Sequence, residues 1–188
     1  MKIFYKIYHF VLKIYTKIKF NPKIYGINNI PSKGKLIIIS NHKSNYDFLA
    51  MGLIAKRPIH FVVKSSLYRG ILSLILKSIE AIPVDRSKKN PETIKLATNY
   101  LKKDEIIGIF PEGTINKTSK LTMDFKIGAI KMAYETNSPI LPIAILGKYQ
   151  KNRLYIKIDK PFYVESTNLT AENERLRMRL EENLRGIR

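Results

Sequence analysis

The octapeptide Ser40-Asn41-His42-Lys43-Ser44-Asn45-Tyr46-Asp47 carries a histidine and, five residues on, an aspartate, directly after the apolar run Leu36-Ile37-Ile38-Ile39. A buried strand running out into a polar loop is where an α/β protein presents its chemistry. On one straight helix a five-residue spacing turns the two side chains about 140° apart, too far round to meet. They meet if His42 ends the strand, the chain turns, and Asp47 falls in the first turn of a helix. Ser44, three residues before Asp47, suits such a start. The carboxylate then fixes the imidazole tautomer and stabilises its protonated form, leaving the other ring nitrogen free to take a proton. A plainer arrangement uses the same residues: Asp47 caps a helix and His42 is a satisfied loop residue.

Two further strand-like runs end on polar groups. Ala81-Ile82-Pro83-Val84 delivers Asp85-Arg86, and the run 106–110 delivers Pro111-Glu112-Gly113-Thr114. In an open parallel sheet the carboxyl ends of the strands lie along one edge, where ligands bind. Groups far apart in sequence converge there. Together they offer a base, a cation suited to bidentate phosphate binding, and a glycine turn with exposed N–H groups. That set fits proton abstraction from a hydroxyl on a phosphorylated molecule. Taken singly, Arg86-Ser87-Lys88-Lys89 reads equally as a solvated basic loop, and Pro111-Glu112-Gly113-Thr114 as an ordinary turn.

The elements that must position these groups follow from the hydrophobic pattern. Strands are expected at 36–40, 59–63, 81–84, 106–110 and 140–146, with one or two edge strands in 154–164. Helices are expected at 47–56, 67–80 and about 91–103, the last with Pro91 at its first position. Another helix opens at Asp124 and buries Ile127, Ile130 and Tyr134, and a charged last helix is capped by Thr170. Residues 26–35 read as turn-rich. The fold class is α/β: a single domain with a central, largely parallel mixed sheet covered by helices.

Residues 1–22 precede that domain, which spans 23–188. On a helical wheel Lys2, Lys6, His9, Lys13 and Lys17 fall within about 80°. Ile3, Phe4, Ile7, Phe10, Val11, Ile14 and Ile18 fill the opposite side, flanked by Tyr8 and Tyr15. Lysines interrupt every apolar run, so the segment suits neither a transmembrane span nor a signal peptide. A wide apolar face with a cationic stripe fits an amphipathic helix lying in a membrane interface. The alternative packs that face on the domain core.

The chain has no cysteine, which excludes disulfides, thiolate metal sites and a cysteine nucleophile. Three histidines without metal-ligand spacing give no zinc motif. A net charge of +19 and a pI near 10.0 point to a polyanionic partner: nucleic acid, an anionic membrane or an acidic protein. The lysine-aromatic interleaving belongs largely to the N-terminal helix, and no nucleic-acid motif is present, so a nucleic-acid partner is not expected.

Asn41-His42-x-x-x-x-Asp47 resembles the first signature block of the 1-acyl-sn-glycerol-3-phosphate acyltransferase family. Ile82-Pro83-Val84-Asp85-Arg86 is similar to the second block, Phe110-Pro111-Glu112-Gly113-Thr114 to the third, and Pro139-Ile140-Leu141-Pro142-Ile143-Ala144 to the fourth. Lys64 after Phe61-Val62-Val63, and Phe125-Lys126-x-Gly128, also stand where the family has them. The resemblance implies an acyltransferase moving a fatty acyl group from acyl-CoA or acyl-acyl carrier protein to a lysophosphatidic acid acceptor, in phospholipid biosynthesis. It implies His42 as base, Asp47 as its orienter, and Arg86, Glu112, Gly113, Thr114 and Lys64 as substrate-binding residues. It implies neither metal nor bound cofactor, and a peripheral or monotopic place on the cytoplasmic face of the membrane. Two departures bear on the acceptor. Ile115 stands where the family has arginine, leaving Lys117 or Lys64 to supply the charge, and Pro83 stands at an aromatic position of the second block.

Overall fold

Successive residues of the run 36–40 bury their side chains in opposite directions. Leu36 and Ile38 enter one core, Ile37 and Ile39 the other, so this strand is covered on both faces. The computed structural model describes residues 2–186, with the side chains of residues 2–6 and 8 outside the description. Its elements are α1 (Lys2–Phe20), β1 (Lys23–Tyr25), β2 (Leu36–Ser40), α2 (Asp47–Ile54), β3 (Ile59–Lys64), α3 (Gly70–Ser78) and β4 (Ile82–Val84). There follow α4 (Pro91–Leu101), β5 (Ile106–Ile109), α5 (Gly128–Thr136), β6 (Ile140–Gly147), β7 (Leu154–Ile158) and α6 (Leu169–Arg185).

Among the described residues seven strands form one sheet, in the order β1-β7-β6-β2-β5-β3-β4. Every neighbouring pair is parallel except β6 and β7. The connections β2-α2-β3 and β3-α3-β4 step one way along the sheet, while β4-α4-β5 and β5-α5-β6 step back. Right-handed crossovers therefore place α2 and α3 on one face and α4 and α5 on the other. The two cores agree: Leu49, Met51 and Ile54 of α2 belong to one, and Ala97, Ile130 and Leu180 of α4, α5 and α6 to the other. Because β6, β2, β5, β3 and β4 are all parallel, their carboxyl ends form one edge.

Several elements depart from the sequence expectation. β1 lies within a short polar stretch that gives no strand signal, and by pairing outside β7 it makes β1, not β7, the edge. Phe162, in the expected second edge strand, makes an isolated bridge to Ile140. The fifth helix starts at Gly128, not Asp124, and buries Ala129, Ile130, Met132 and Ala133 while Ile127 and Tyr134 stay exposed. Ile130 is buried as expected, and the later start sets the buried face along Ala129, Ile130, Met132 and Ala133. The last helix is capped by Asn168, whose side chain accepts the Ala171 N–H, two residues before the expected Thr170.

α1 packs on α2 with His9 and Lys13 of its polar stripe inward, while Lys17 of the same stripe is exposed. The His9 Nε2–H donates to the Gly52 carbonyl at 2.8 Å, and the Lys13 ammonium donates to that of Ala55. These are carbonyls at the C-terminal end of α2, where cations are favoured. Burial lowers the pKa of both His9 and Lys13 from their ordinary values. Leu12, Thr16 and Phe20 complete the inner face. Ile7, Phe10, Val11, Ile14 and Ile18 all point outward, Phe10 at 64% exposure and Ile18 at 70%. The expected positions of Lys2, Ile3, Phe4, Lys6 and Tyr8 lie outside the described side chains. No described helix is long and apolar enough to cross a membrane.

Candidate active site

The site begins where β2 ends. Asn41 continues the strand pairing with its side chain: its amide donates to the Ile145 carbonyl at 2.8 Å and accepts the Ile145 N–H at 2.9 Å. That anchors the first loop residue to β6 and leaves His42 at the sheet edge. The His42 carbonyl accepts the Asn116 N–H at 2.7 Å, and its imidazole stacks on Phe110 with centroids 4.1 Å apart and 14° between planes.

The turn that brings Asp47 back is built around its own carboxylate. Asp47 is 1% exposed and is the first residue of α2. Its Oδ2 accepts the N–H groups of Lys43 and Ser44, each at 2.8 Å, and lies 2.9 Å from His42 Nδ1. Its Oδ1 accepts the Tyr149 hydroxyl at 2.6 Å. A carboxyl group that accepts on both oxygens from this many donors is ionised, so Nδ1 carries the imidazole proton. Nε2 is then the basic nitrogen, and it has no hydrogen-bond partner among the described residues. The two arrangements open at the sequence level are resolved: Asp47 sits in the first turn and holds the histidine as well.

Glu112 reaches the same loop from β5. Gly113, in the left-handed region at φ +70°, closes the turn after Phe110 by donating its N–H to the Phe110 carbonyl at 3.0 Å. That turn aims Glu112 inward, where it is 3% exposed. One carboxylate oxygen accepts the His42 N–H at 2.7 Å and the other the Met123 N–H at 2.8 Å. Burial pushes the Glu112 carboxyl up from its ordinary range, with the two N–H bonds acting the other way. Expected as a substrate ligand, Glu112 is committed to the backbone beneath the histidine. Its carboxylate fixes the position of the His42 backbone.

An open cleft of about 580 Å³ adjoins this loop. Lys64 from the end of β3, Arg86 from beyond β4, and Glu112, Gly113 and Thr114 from beyond β5 all line it. The topology thus gathers the five residues expected at the substrate. Lys120 and Lys126 line it too, whereas the exposed Lys117 does not. Four cations outnumber the two acids of the lining, Glu112 and Asp124. Asp85 is used locally: its carboxylate accepts the Ser87 N–H and hydroxyl, shaping the turn that presents Arg86.

Sequence reasoning missed Tyr149, which acts through a contact 102 residues away, and Asn116, which shapes its own loop, and under-read Lys126, which the Phe125-Lys126-x-Gly128 pattern had flagged. Asn116 is 3% exposed; its carbonyl oxygen accepts the Thr118 N–H and hydroxyl, holding the loop that covers Lys43. Away from the cleft, at the amino end of β3, His60 lies with Glu80 and Glu105. The carboxylates address opposite ring nitrogens, Glu105 at 2.5 Å from Nε2 and Glu80 at 3.6 Å from Nδ1, and the ring stacks on Tyr100 at 3.9 Å. This is the layout of a hydrogen-bonded imidazole, not of ligands converging on an ion.

Residues 21–146 match the model of a family described as Acyltransferase. The chain is 30% identical over 193 residues to the 1-acyl-sn-glycerol-3-phosphate acyltransferase of Bacillus subtilis, covering 95% of this chain and 96% of the relative. It is 35% identical over 135 residues to the enzyme of that name from Borreliella burgdorferi, covering 70% of this chain and 52% of the relative. Its fold is similar to the crystal structure of the 1-acyl-sn-glycerophosphate acyltransferase of Thermotoga maritima, with a TM-score of 0.77 at 17% identity over 96% of this chain and 80% of the other. With three of its signature blocks ending at one sheet edge and a family match across most of its length, the chain belongs to the acyltransferase family and is an enzyme of that class.

Proposed function

We propose that the enzyme moves a fatty acyl group from acyl-CoA or acyl-acyl carrier protein to the sn-2 hydroxyl of 1-acyl-sn-glycerol-3-phosphate, giving phosphatidic acid. The observation that carries this reading is the Asp47-held His42 beside a cleft lined by Lys64, Arg86, Lys120 and Lys126. Nε2 of His42 takes the proton of the acceptor hydroxyl as that oxygen attacks the thioester carbonyl. The tetrahedral adduct collapses, the carbon–sulfur bond breaks, and the imidazolium returns its proton to the thiolate. No acyl-enzyme is required, and the two substrates alone balance the reaction. Thr114 edges the same cleft. Lys120 and Lys126 supply the positive charge that Ile115 withholds.

The cleft reading has its own test. Replacing Arg86 with alanine removes the one planar, bidentate cation of the cleft. KM for lysophosphatidic acid is expected to rise about 10-fold or more, in line with roughly 1.5–3 kcal/mol for a charge-assisted bond. Turnover on an uncharged monoacylglycerol should change little. An unchanged KM would place the phosphate elsewhere, and a panel of other lysolipids as acceptors would then identify the one the cleft holds.

The same reading places the enzyme peripherally on a membrane, at its cytoplasmic face. The outward apolar side of α1 supports it, and so does α3 on the same sheet face. Only Leu76 of α3 is buried, whereas Ile71 is 79% and Leu74 67% exposed. Exposed apolar side chains of this kind on one sheet face point to an interaction site, and the surplus of 34 basic over 15 acidic residues favours an anionic surface. The double substitution Ile71→Asp and Leu74→Asp should lower cosedimentation with anionic vesicles at least ~10-fold. It should leave transfer to a detergent-dispersed acceptor within about two-fold, since each charge opposes burial in the interface by roughly 1–3 kcal/mol. Unchanged vesicle binding would remove α3 from the membrane contact.

A further inference from the structure

We propose that Tyr149 is a positioning residue of this site, holding the Asp47 carboxylate so that His42 keeps its tautomer and its basicity. The proposal rests on His42 being the base, as argued above. Tyr149 lies just beyond β6 and is separated from Asp47 by 102 residues, yet its hydroxyl donates to Asp47 Oδ1 at 2.6 Å. The other oxygen, Oδ2, serves His42 Nδ1 and the two N–H groups of Lys43 and Ser44. Among the described residues Tyr149 is the sole donor to Oδ1. Fastening both oxygens stops rotation of the carboxylate and spreads its charge over a second donor.

The hydroxyl is itself well held. Burial, and after it the Asp47 charge, raise the Tyr149 pKa far above its ordinary value, so the group stays a donor throughout the working range. Its ring meets Phe20 edge-on at 5.2 Å and Tyr46 at 5.6 Å. Phe20 is the last residue of α1, and its carbonyl accepts the Asn152 N–H at 2.8 Å from the loop that carries Tyr149. The end of the outward-facing helix and the orienting carboxylate therefore meet at one aromatic cluster.

Losing the hydroxyl leaves Oδ1 without its donor in a buried place. The carboxylate becomes more basic, favours the doubly protonated imidazole more strongly, and so raises the pH at which Nε2 is free to act. The other charged or titratable groups facing this pair are few. Glu112 lies on the backbone side of His42, Tyr46 borders Tyr149, and Lys19 lies 5.9 Å over the Tyr46 ring. The Lys43 ammonium is turned away, donating to the carbonyls of Thr118 and Lys120.

The experiment is a pH profile of kcat/KM for Tyr149→Phe, which keeps the ring and its contacts, beside wild type and His42→Ala. Substrates are lysophosphatidic acid and an acyl thioester, and thermal melting is followed in parallel. The expected result is an acid limb moved up by roughly 0.5–1 pH unit, so that activity on that limb falls about 3–10-fold while the alkaline plateau changes less. A profile superimposable on wild type, or a loss that is equal at every pH, overturns the proposal. Full activity in His42→Ala would instead overturn the reading of His42 as the base, on which the proposal stands.

Discussion

Replacing His42 with alanine is expected to lower acyl transfer by roughly 10²–10⁴-fold, the contribution typical of a positioned general base. The loss should fall on kcat, because the cleft cations proposed to hold the acceptor are untouched. It should also be nearly free of any folding defect. Asp47 Oδ2 keeps the Lys43 and Ser44 N–H groups and Oδ1 keeps Tyr149, so no buried carboxylate is orphaned. The backbone N–H of residue 42 still donates to Glu112. What disappears is the stacked ring and its free Nε2. Stopped-flow or endpoint thiol release, read beside a thermal melt, checks both halves of the expectation: activity gone, melting temperature held within a few degrees.

Glu112→Gln should behave differently from a change in a substrate ligand. The carboxylate accepts one N–H on each oxygen, from His42 and from Met123. Glutamine offers one acceptor oxygen and turns an NH₂ group toward the remaining N–H, so one buried donor loses its partner. The expected cost is about 1–3 kcal/mol of stability. Turnover should fall by about 10–100-fold, because a shift of even 1 Å in the base is felt strongly in the rate. KM for the acceptor should stay within about two-fold, since the bond lost points at the loop and not into the cleft. Steady-state kinetics with a denaturant titration measure all three. A large rise in acceptor KM with intact stability would return Glu112 to the role of a substrate ligand.

How far the sequence carried this picture depends on the range of each interaction. The central strand and its two-sided burial were readable because an unbroken apolar run with polar flanks has few other fates. The convergence of His42, Arg86 and Glu112 followed from one topological rule about parallel strands, and the strand order bears it out. β1 was not readable, since three residues with one half-buried side chain carry no periodic signal. The bonds of Glu112 to the His42 loop were hidden for a related reason. A conspicuous acid in a glycine turn looks like a ligand until its two N–H donors, 70 residues before it and 11 after it, are located in space.

The N-terminal helix shows the opposite case. Its amphipathic division was legible, but which side met the protein was not. A lysine stripe reads as water-facing, yet Lys13 and His9 find carbonyls at the end of α2 that compensate their burial. The apolar side is thereby left to face outward, which strengthens the expectation of a membrane contact where the simplest packing rule would have weakened it. Tyr149 belongs with the unreadable group: an aromatic residue in a lysine-rich loop offers no hint that its hydroxyl ends on the orienting aspartate.

In the proposed reaction His42 moves a proton from the acceptor hydroxyl of a lysophospholipid during acyl transfer. The most direct measurement is coupled detection of thiol and phosphatidic acid from purified enzyme, lysophosphatidic acid and acyl-CoA or acyl-acyl carrier protein in anionic vesicles, for wild type and His42→Ala. Equimolar appearance of thiol and phosphatidic acid in the wild type, with both reduced by at least about 100-fold in the variant, is the predicted result. Equal rates in the two proteins would contradict the assignment of the base, and thiol release without phosphatidic acid would contradict the assignment of the acceptor.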